Sequence, residues 1–393
     1  MNFSKFEDLM NHFVDAGYAP GNTVQVYLKG NKVYEYSCGY SDIASQKTMV
    51  GNEHFFLYSC SKIATVTAAL QLVEKGVIML NDPLYEYIPE YKDMYIKTSE
   101  GELVKAKNDI KVLNLFNMTA GLTYDRETEA FAKARELTDG KMNTDVVARC
   151  VAMDPLSFEP GTTFQYSLCH DVLAGLVSIV TGKKFRDYVK ENIFDPLDMN
   201  LSVYRITPDI QKNMATQYTL VTPDMEKDFN IVEAQKRGSS KNGVFVDTGL
   251  KNSHCLGEEY DSGGAGVIST AGDYVKLAVA LANYGTGATG ERILSPGTVE
   301  LMRTNTLNEQ QLKTFNWKQL EGYGYGLGVR TLIDKVKGSS LGNIGEFGWG
   351  GAAGTSVYID PSIGLAAVYA KHCLNPAEEY YQPRVRNVIY SCL

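Results

Sequence analysis

One pair in this 393-residue sequence has the spacing of a nucleophile and its base: Ser59-Cys60-Ser61-Lys62, its only Ser-x-x-Lys. A serine hydroxyl attacks an acyl carbonyl once a neighbouring group takes its proton. A lysine three residues further along a helix lies one turn up, on nearly the same side. Burial and neighbouring positive charge would lower its pKa enough for that task. The motif is short and occurs by chance, so its context has to carry weight. Phe55-Phe56-Leu57-Tyr58 runs into it, and Ile63, Val66, Leu70 and Val73 then recur at the spacing of one helix face until Gly76. Ser59 is therefore expected where a buried strand hands over to a helix N-terminus. The free N–H groups and positive dipole end of that terminus suit a developing oxyanion.

Two later stretches could join this pair. Phe164-Gln165-Tyr166-Ser167-Leu168 follows the turn signal Pro160-Gly161 and precedes a helical pattern from about Asp171. Tyr166 could present its phenol to a cleft there, although work as a base requires nearby positive charge. With 25 tyrosines in the chain, plain packing is the competing reading. The run from Gly345 to Gly354 is glycine-rich and contains Trp349-Gly350-Gly351-Ala352. Glycines there let the backbone approach a ligand and aim N–H groups at it, or simply make a hairpin.

Other signals fail on context. Gly338-Ser339-Ser340-Leu341-Gly342 has the Gly-x-Ser-x-Gly spacing of a nucleophile elbow, but no helical pattern follows it. Gly348 to Ala353 has the spacing of a dinucleotide fingerprint, yet leads into a strand pattern. Cys60 and Cys169 lack a histidine partner in sequence, and the five histidines show no metal-ligand spacing. No metal and no cofactor are expected.

The elements that must position these residues read as follows. Phe6, Leu9, Met10, Phe13 and Val14 predict a first helix ended by Gly17. Val24, Val26 and Leu28 alternate with polar residues, and Gly30-Asn31 predicts a two-residue hairpin turn into Val33 to Tyr36. A third strand is expected at roughly 54 to 58. After Asn81-Asp82-Pro83 the pattern turns helical, with a helix face at Leu173, Leu176, Val177 and Val180. Ser269-Thr270 with Asp273 predicts a capped helix to Asn283, and strands are expected at Tyr325 to Thr331, Phe347 to Trp349, Thr355 to Ile359 and Leu365 to Tyr369. A last helix carries Val385, Val388 and Ile389. The simplest assembly is a sheet lobe from residues 1–80 and 255–393, with a mostly helical lobe, 81–254, inserted between. The polar stretch 206–254 could be a lid or an excursion between the lobes.

Composition narrows the class. Hydrophobic residues make up 44% and charged residues 21%, an ordinary globular balance. The net charge is −8 and no Lys/Arg run resembles a nucleic-acid footprint, so nucleic acid is not an expected partner. No apolar run reaches membrane-spanning length, and the N-terminus lacks the pattern of a signal peptide. Seven cysteines without a Cys-x-x-Cys pair suggest free thiols in a reducing compartment, and cytoplasm is the expected location.

Taken in order, Ser59-x-x-Lys62, Tyr166-Ser167-Leu168 and Trp349-Gly350-Gly351 resemble the motifs of the penicillin-recognising serine hydrolases, which include serine β-lactamases, D-alanyl-D-alanine peptidases and related esterases. The flanks Leu115 to Leu122, Ile193 to Met199 and Gly263 to Tyr274 also look like family segments, so the resemblance covers about residues 20 to 390. It implies an α/β (α+β) fold of β-lactamase/transpeptidase type, a mainly antiparallel sheet flanked by helices. It also implies an acyl-enzyme on Ser59, proton transfer by Lys62 and Tyr166, and an oxyanion hole from the N–H groups of Ser59 and Ala352. Leu168, Trp349, Gly350 and Gly351 would then line the substrate. Two departures bear on specificity. The second motif usually ends in an amide-binding Asn where Leu168 stands, and the third usually opens with Lys or His where Trp349 stands. Both changes favour a neutral, apolar acyl ester over a peptide, with Lys62 as the principal base, and a tryptophan there is similar to the carboxylesterase and acyltransferase branch. A small ester or amide substrate is expected, with β-lactamase, D-alanyl-D-alanine carboxypeptidase or acyltransferase activity, or a non-catalytic binding role, as the alternatives.

Overall fold

The computed structural model describes residues 1–221, 243–374 and 378–393. Its centre is an eight-stranded sheet taken from both ends of the chain. The N-terminal part supplies β1 (Gly21–Leu28), β2 (Asn31–Asp42) and β3 (Lys47–Thr48). The C-terminal part supplies β4 (Tyr323–Tyr325), β5 (Arg330–Leu332), β6 (Phe347–Gly350), β7 (Ser356–Asp360) and β8 (Leu365–Ala370). The spatial order is β4-β5-β6-β7-β8-β1-β2-β3, and every neighbouring pair is antiparallel. The first and last parts of the chain meet where β1 pairs with β8, from Thr23 opposite Ala370 to Leu28 opposite Leu365.

Each sheet face is covered by helices whose apolar residues the chain spacing selects. On one face lie α1 (Ser4–Asp15) and the C-terminal helix, Glu378–Cys392. Phe6, Met10 and Phe13 of α1 pack there with Val24, Val26, Tyr358, Leu365, Val385 and Ile389. On the other face lie α2 (Ser61–Glu74), α3 (Cys169–Thr181) and α4 (Ala271–Ala282), and the C-terminal helix is α5. The Thr270 side chain caps α4 by accepting from the Asp273 N–H, as the sequence predicts.

Several expectations need correction. Helix α2 is not one-faced: Ser61 through Leu72 are all buried, because it runs through the middle of the helical layer. The hairpin turn is Lys29-Gly30 rather than Gly30-Asn31, since Leu28 pairs with Asn31. Both turn residues have positive φ, 51° and 79°, as a two-residue hairpin of this twist requires. The single strand expected over Tyr325 to Thr331 is two, β4 and β5, joined by a turn at Gly328. The strand before Ser59 is shorter than expected, Phe55–Phe56, and pairs with Ile268–Ser269.

The stretch 206–254 holds a short helix, Pro208–Lys212, and two paired strands, Tyr218–Val221 and Val244–Asp247. Cys373–Leu374 adds a parallel third strand beside Tyr218. Residues 222–242, the middle of the stretch that could be a lid, lie outside the described residues. Among the described residues, no helix is long and apolar enough to cross a membrane, and no group of His, Cys, Asp and Glu could hold a metal ion. All seven cysteines are free thiols.

Candidate active site

The turn Tyr58–Cys60 joins the short strand to α2 and carries Ser59 at its middle. Tyr58 adopts a φ of 45°, a left-handed conformation that costs a non-glycine residue energy and persists only when its surroundings hold it. Here the Tyr58 hydroxyl donates to Gln217 Oε1 at 2.6 Å, and Gln217 is itself held by Thr248 Oγ1 and Lys251 O, each at 3.1 Å. The segment read as a lid or an excursion thus buttresses the nucleophile turn, and Gln217 is a residue that sequence reasoning missed.

Lys62 is completely buried, with its Nζ 3.3 Å from Ser59 Oγ. It donates to Gly264 O at 2.8 Å and to Tyr124 OH at 3.1 Å. Burial lowers its pKa to about 7 against the opposing pull of the Asp171 carboxylate. Of the two causes expected from the sequence, burial does this work and neighbouring positive charge does not. Asp171 is buried in turn and accepts from Ser262 Oγ at 2.7 Å, Tyr260 OH at 3.0 Å and the Gly264 N–H at 3.3 Å. Gly264 has to be glycine, because a Cβ there would sit 2.6 Å from Asp171 Oδ2 and 3.3 Å from Lys62 Nζ. Tyr124, Asp171 and Gly264 carry no motif of their own, though Gly264 falls in a flank of the family resemblance.

Tyr166 also reaches Ser59. Its hydroxyl hydrogen-bonds Ser59 and accepts from Trp349 Nε1 at 3.0 Å. Its ring stacks on the Trp349 ring at 5.6 Å, and Lys62 Nζ lies 4.5 Å from its centroid. Burial drives the Tyr166 pKa up, while the hydrogen bonds to Ser59 and Trp349 oppose that rise. The phenol stays protonated near neutrality, where a substantial share of Lys62 is neutral, so the amine is the stronger candidate for the base.

The turn after β6 closes the site. Gly351 packs so tightly on the segment before Ser59 that a Cβ there would meet Leu57 O at 2.3 Å. The Cys60 thiol braces the same approach, donating to Trp349 O at 3.6 Å and Thr355 O at 3.5 Å. Ala352 is thereby brought to the mouth of a cavity of about 240 Å³ that Ser59, Tyr166, Trp349, Gly350 and Ala352 line together. Two expected substrate contacts fall elsewhere. Leu168 is 4% exposed and belongs to the core at the start of α3, outside the cavity lining. Gly351 sits behind the lining, where its role is to let two segments touch. The cavity also takes in Trp317, Gln319, Leu320, Arg330, Glu378 and Gln382, none of which the sequence marks.

With this geometry in hand, the class is a serine–lysine–tyrosine site set between an antiparallel sheet and a helical layer. The Beta-lactamase family profile matches residues 6–388, and the chain belongs to that family. Protein Rv1367c of Mycobacterium tuberculosis is 28% identical over 387 residues, covering 95% of this chain and 91% of that one. Among solved structures, EstCE1, described as a hydrolase with promiscuous acyltransferase activity, superposes with a TM-score of 0.76 at 24% identity, over 98% of this chain and 97% of that one. A family VIII carboxylesterase superposes with a TM-score of 0.73 at 19% identity, over 100% and 97%. These likenesses establish the β-lactamase/transpeptidase fold expected from the sequence.

Proposed function

We propose that this chain is a serine hydrolase that carries an acyl group on Ser59, and that its substrates are carboxylic esters. The observation that carries the reading is a fully buried lysine with a pKa near 7, its Nζ 3.3 Å from the Ser59 hydroxyl. In the first half-reaction neutral Lys62 takes the Ser59 proton as Oγ bonds to the ester carbonyl carbon. The N–H groups of Ser59 and Ala352 receive the negative charge on the carbonyl oxygen. When the tetrahedral species collapses, the bond to the alkoxide breaks, and Tyr166 relays a proton from the Lys62 ammonium to the departing alcohol. In the second half-reaction a water molecule gives a proton to Lys62 as it attacks the acyl-enzyme, and Ser59 leaves with a proton.

The ester preference is supported by the uncharged Trp349, whose indole N–H is occupied by Tyr166. Arg330, the one cation among the described lining residues, is bound to Glu346 at 3.0 Å and is not free to meet a substrate carboxylate. The name of EstCE1 favours a second reading in which an alcohol replaces water as acceptor. Short-chain p-nitrophenyl esters test the proposal: the Ser59→Ala variant should lose turnover and fluorophosphonate labelling together. Wild-type turnover by that variant would remove Ser59 as nucleophile. Faster hydrolysis of a chromogenic cephalosporin than of esters would shift the reading to a β-lactamase, and transfer product in the presence of added alcohols would shift it to an acyltransferase.

A further inference from the structure

We infer that the cavity beside Ser59 recognises an organic cation, with the Glu378 carboxylate as its anionic end and Trp317, Trp349 and Tyr166 as its aromatic walls. This rests on the hydrolase reading and adds a substrate class: esters carrying a quaternary or alkylated ammonium in the acyl or the alcohol half.

The charge distribution of the lining points this way. Glu378 is the one acidic side chain among the described lining residues, and Arg330 the one basic side chain. Arg330 is 2% exposed and engaged with Glu346, so its charge is compensated away from the cavity. Glu378 has no such partner in the lining, only Gln319 Nε2, which donates to its Oε2 at 3.2 Å. The carboxyl is brought to the end of β6 by Gly350. A Cβ on Gly350 would meet Gln382 Nε2 at 2.2 Å and lie 3.4 Å from Glu378 Oε1, so glycine here lets the first turn of α5 press onto β6. Oε1 therefore lies against the end of β6, next to Trp349.

The aromatic groups complete the arrangement. Trp317 lies edge-on to Tyr166 at 5.4 Å and to Trp349 at 6.1 Å, and all three rings line the cavity with Glu378. A cation near aromatic faces is attracted by the ring quadrupole, and methyl groups on nitrogen bury apolar area without needing hydrogen bonds. A neutral alkyl group would fill the same volume but leave the half-buried carboxylate without a counter-charge inside the cavity.

The groups facing Glu378 set its pH behaviour. Lys371 acts on it from just beyond β8 and Arg330 from β5, while Lys318 and Glu379 pair at 4.0 Å on the outer side. Lys371 is buried, with its Nζ 3.3 Å from the Tyr381 ring centroid. Burial pushes the Glu378 pKa up to about 7 and pulls the Lys371 pKa down to about 7. Raising the pH through neutrality thus ionises Glu378 while Lys371 loses charge. The negative potential of the cavity grows with pH.

Matched substrates test this. Acetylcholine against its neutral carbon isostere places the charge in the alcohol. The p-nitrophenyl esters of trimethylammonio-butyric acid and of its tert-butyl isostere place it in the acyl chain. In one pair the ratio of kcat/KM, cation to isostere, should be about tenfold or more, the scale of a desolvated cation–aromatic contact with a counter-charge. That ratio should rise as pH increases through about 7, whereas the titration of Lys62 acts on both esters and divides out. Glu378→Gln should lower the ratio about tenfold and flatten its pH dependence. Ratios near one in both pairs, or a preference that Glu378→Gln leaves intact, would overturn the inference while the hydrolase reading stands. Should the variant fail to fold, a wild-type ratio that does not change with pH overturns it equally. Calorimetric titration of the full chain with choline separates the two readings: binding that is lost in Glu378→Gln supports the cation site even if no ester turns over, and no detectable binding counts against it.

Discussion

At the scale of single residues, the site works by desolvation more than by charge pairing. Lys62 has no water contact and a nearby carboxylate, Asp171, that opposes its neutralisation, yet burial prevails and leaves its pKa at about 7. The sign is definite: a base is active when deprotonated, so kcat/KM for a neutral ester should rise as pH passes through about 7 and level off above it. A pH–rate profile of p-nitrophenyl ester hydrolysis checks this, and a flat profile across neutrality would exclude Lys62 as the base. Lys62→Met should lower kcat by roughly 10²–10⁴-fold, the usual range for a positioned proton-transfer group. Trp349→Phe keeps the ring but removes the N–H that Tyr166 accepts at 3.0 Å. It should cut kcat about tenfold with little change in KM, because the lost hydrogen bond matters most as the phenol passes a proton.

At the scale of elements, two close approaches set the distances. The turn after β6 meets the turn before α2 at Gly351, and the Tyr58 backbone is held by Gln217. Gly351→Ala would force a Cβ to 2.3 Å from Leu57 O, so these segments must separate and carry Ala352 away from Ser59. We expect a loss of about 1–3 kcal/mol in urea-unfolding free energy together with a fall in kcat exceeding any change in KM. A second element contact is electrostatic. Arg330 of β5 and Glu346, which precedes β6, form a pair at 3.0 Å with exposures of 2% and 0%. Tyr323 OH also donates to Glu346 at 2.9 Å. Removing one partner, as in Glu346→Ala, leaves a buried guanidinium uncompensated and should cost about 3–5 kcal/mol, measurable by urea denaturation.

At the scale of the whole molecule, the sheet separates stability from chemistry. Ser59 and Lys62 lie with the helices on one face, whereas α1 and the body of α5 seal the other with Phe6, Met10, Phe13, Val385 and Ile389, and only the start of α5, at Glu378 and Gln382, reaches the cavity. Phe6→Ala, at a side chain with no exposure, should destabilise the fold by about 3–5 kcal/mol. The folded variant should keep the wild-type kcat/KM, since Phe6 lies on the far face from Ser59. Measuring unfolding and ester turnover on the same variant checks the separation.

What the sequence determined by itself is local chemistry and local periodicity. The Ser59–Lys62 spacing is one helical turn, and the helix pattern after Ser59 and the alternation in β1 and β8 follow from side-chain repeats that short-range geometry imposes. Tyr166 and Trp349 were legible only because their order along the chain matched a family, not because anything nearby gave them a task. The tertiary structure decided the rest. Tyr58 is held by a residue 159 positions away, and Lys62 by a carbonyl 202 positions away. Leu168 sits in the core, and the described residues on either side of 222–242 pair as two strands, because burial and backbone pairing are settled by which surfaces meet. Glu378 reached the cavity for the same reason. A carboxylate at a helix start looks like an ordinary dipole partner in sequence, and the glycine opposite it, 28 residues earlier in the chain, allows it to line the cavity.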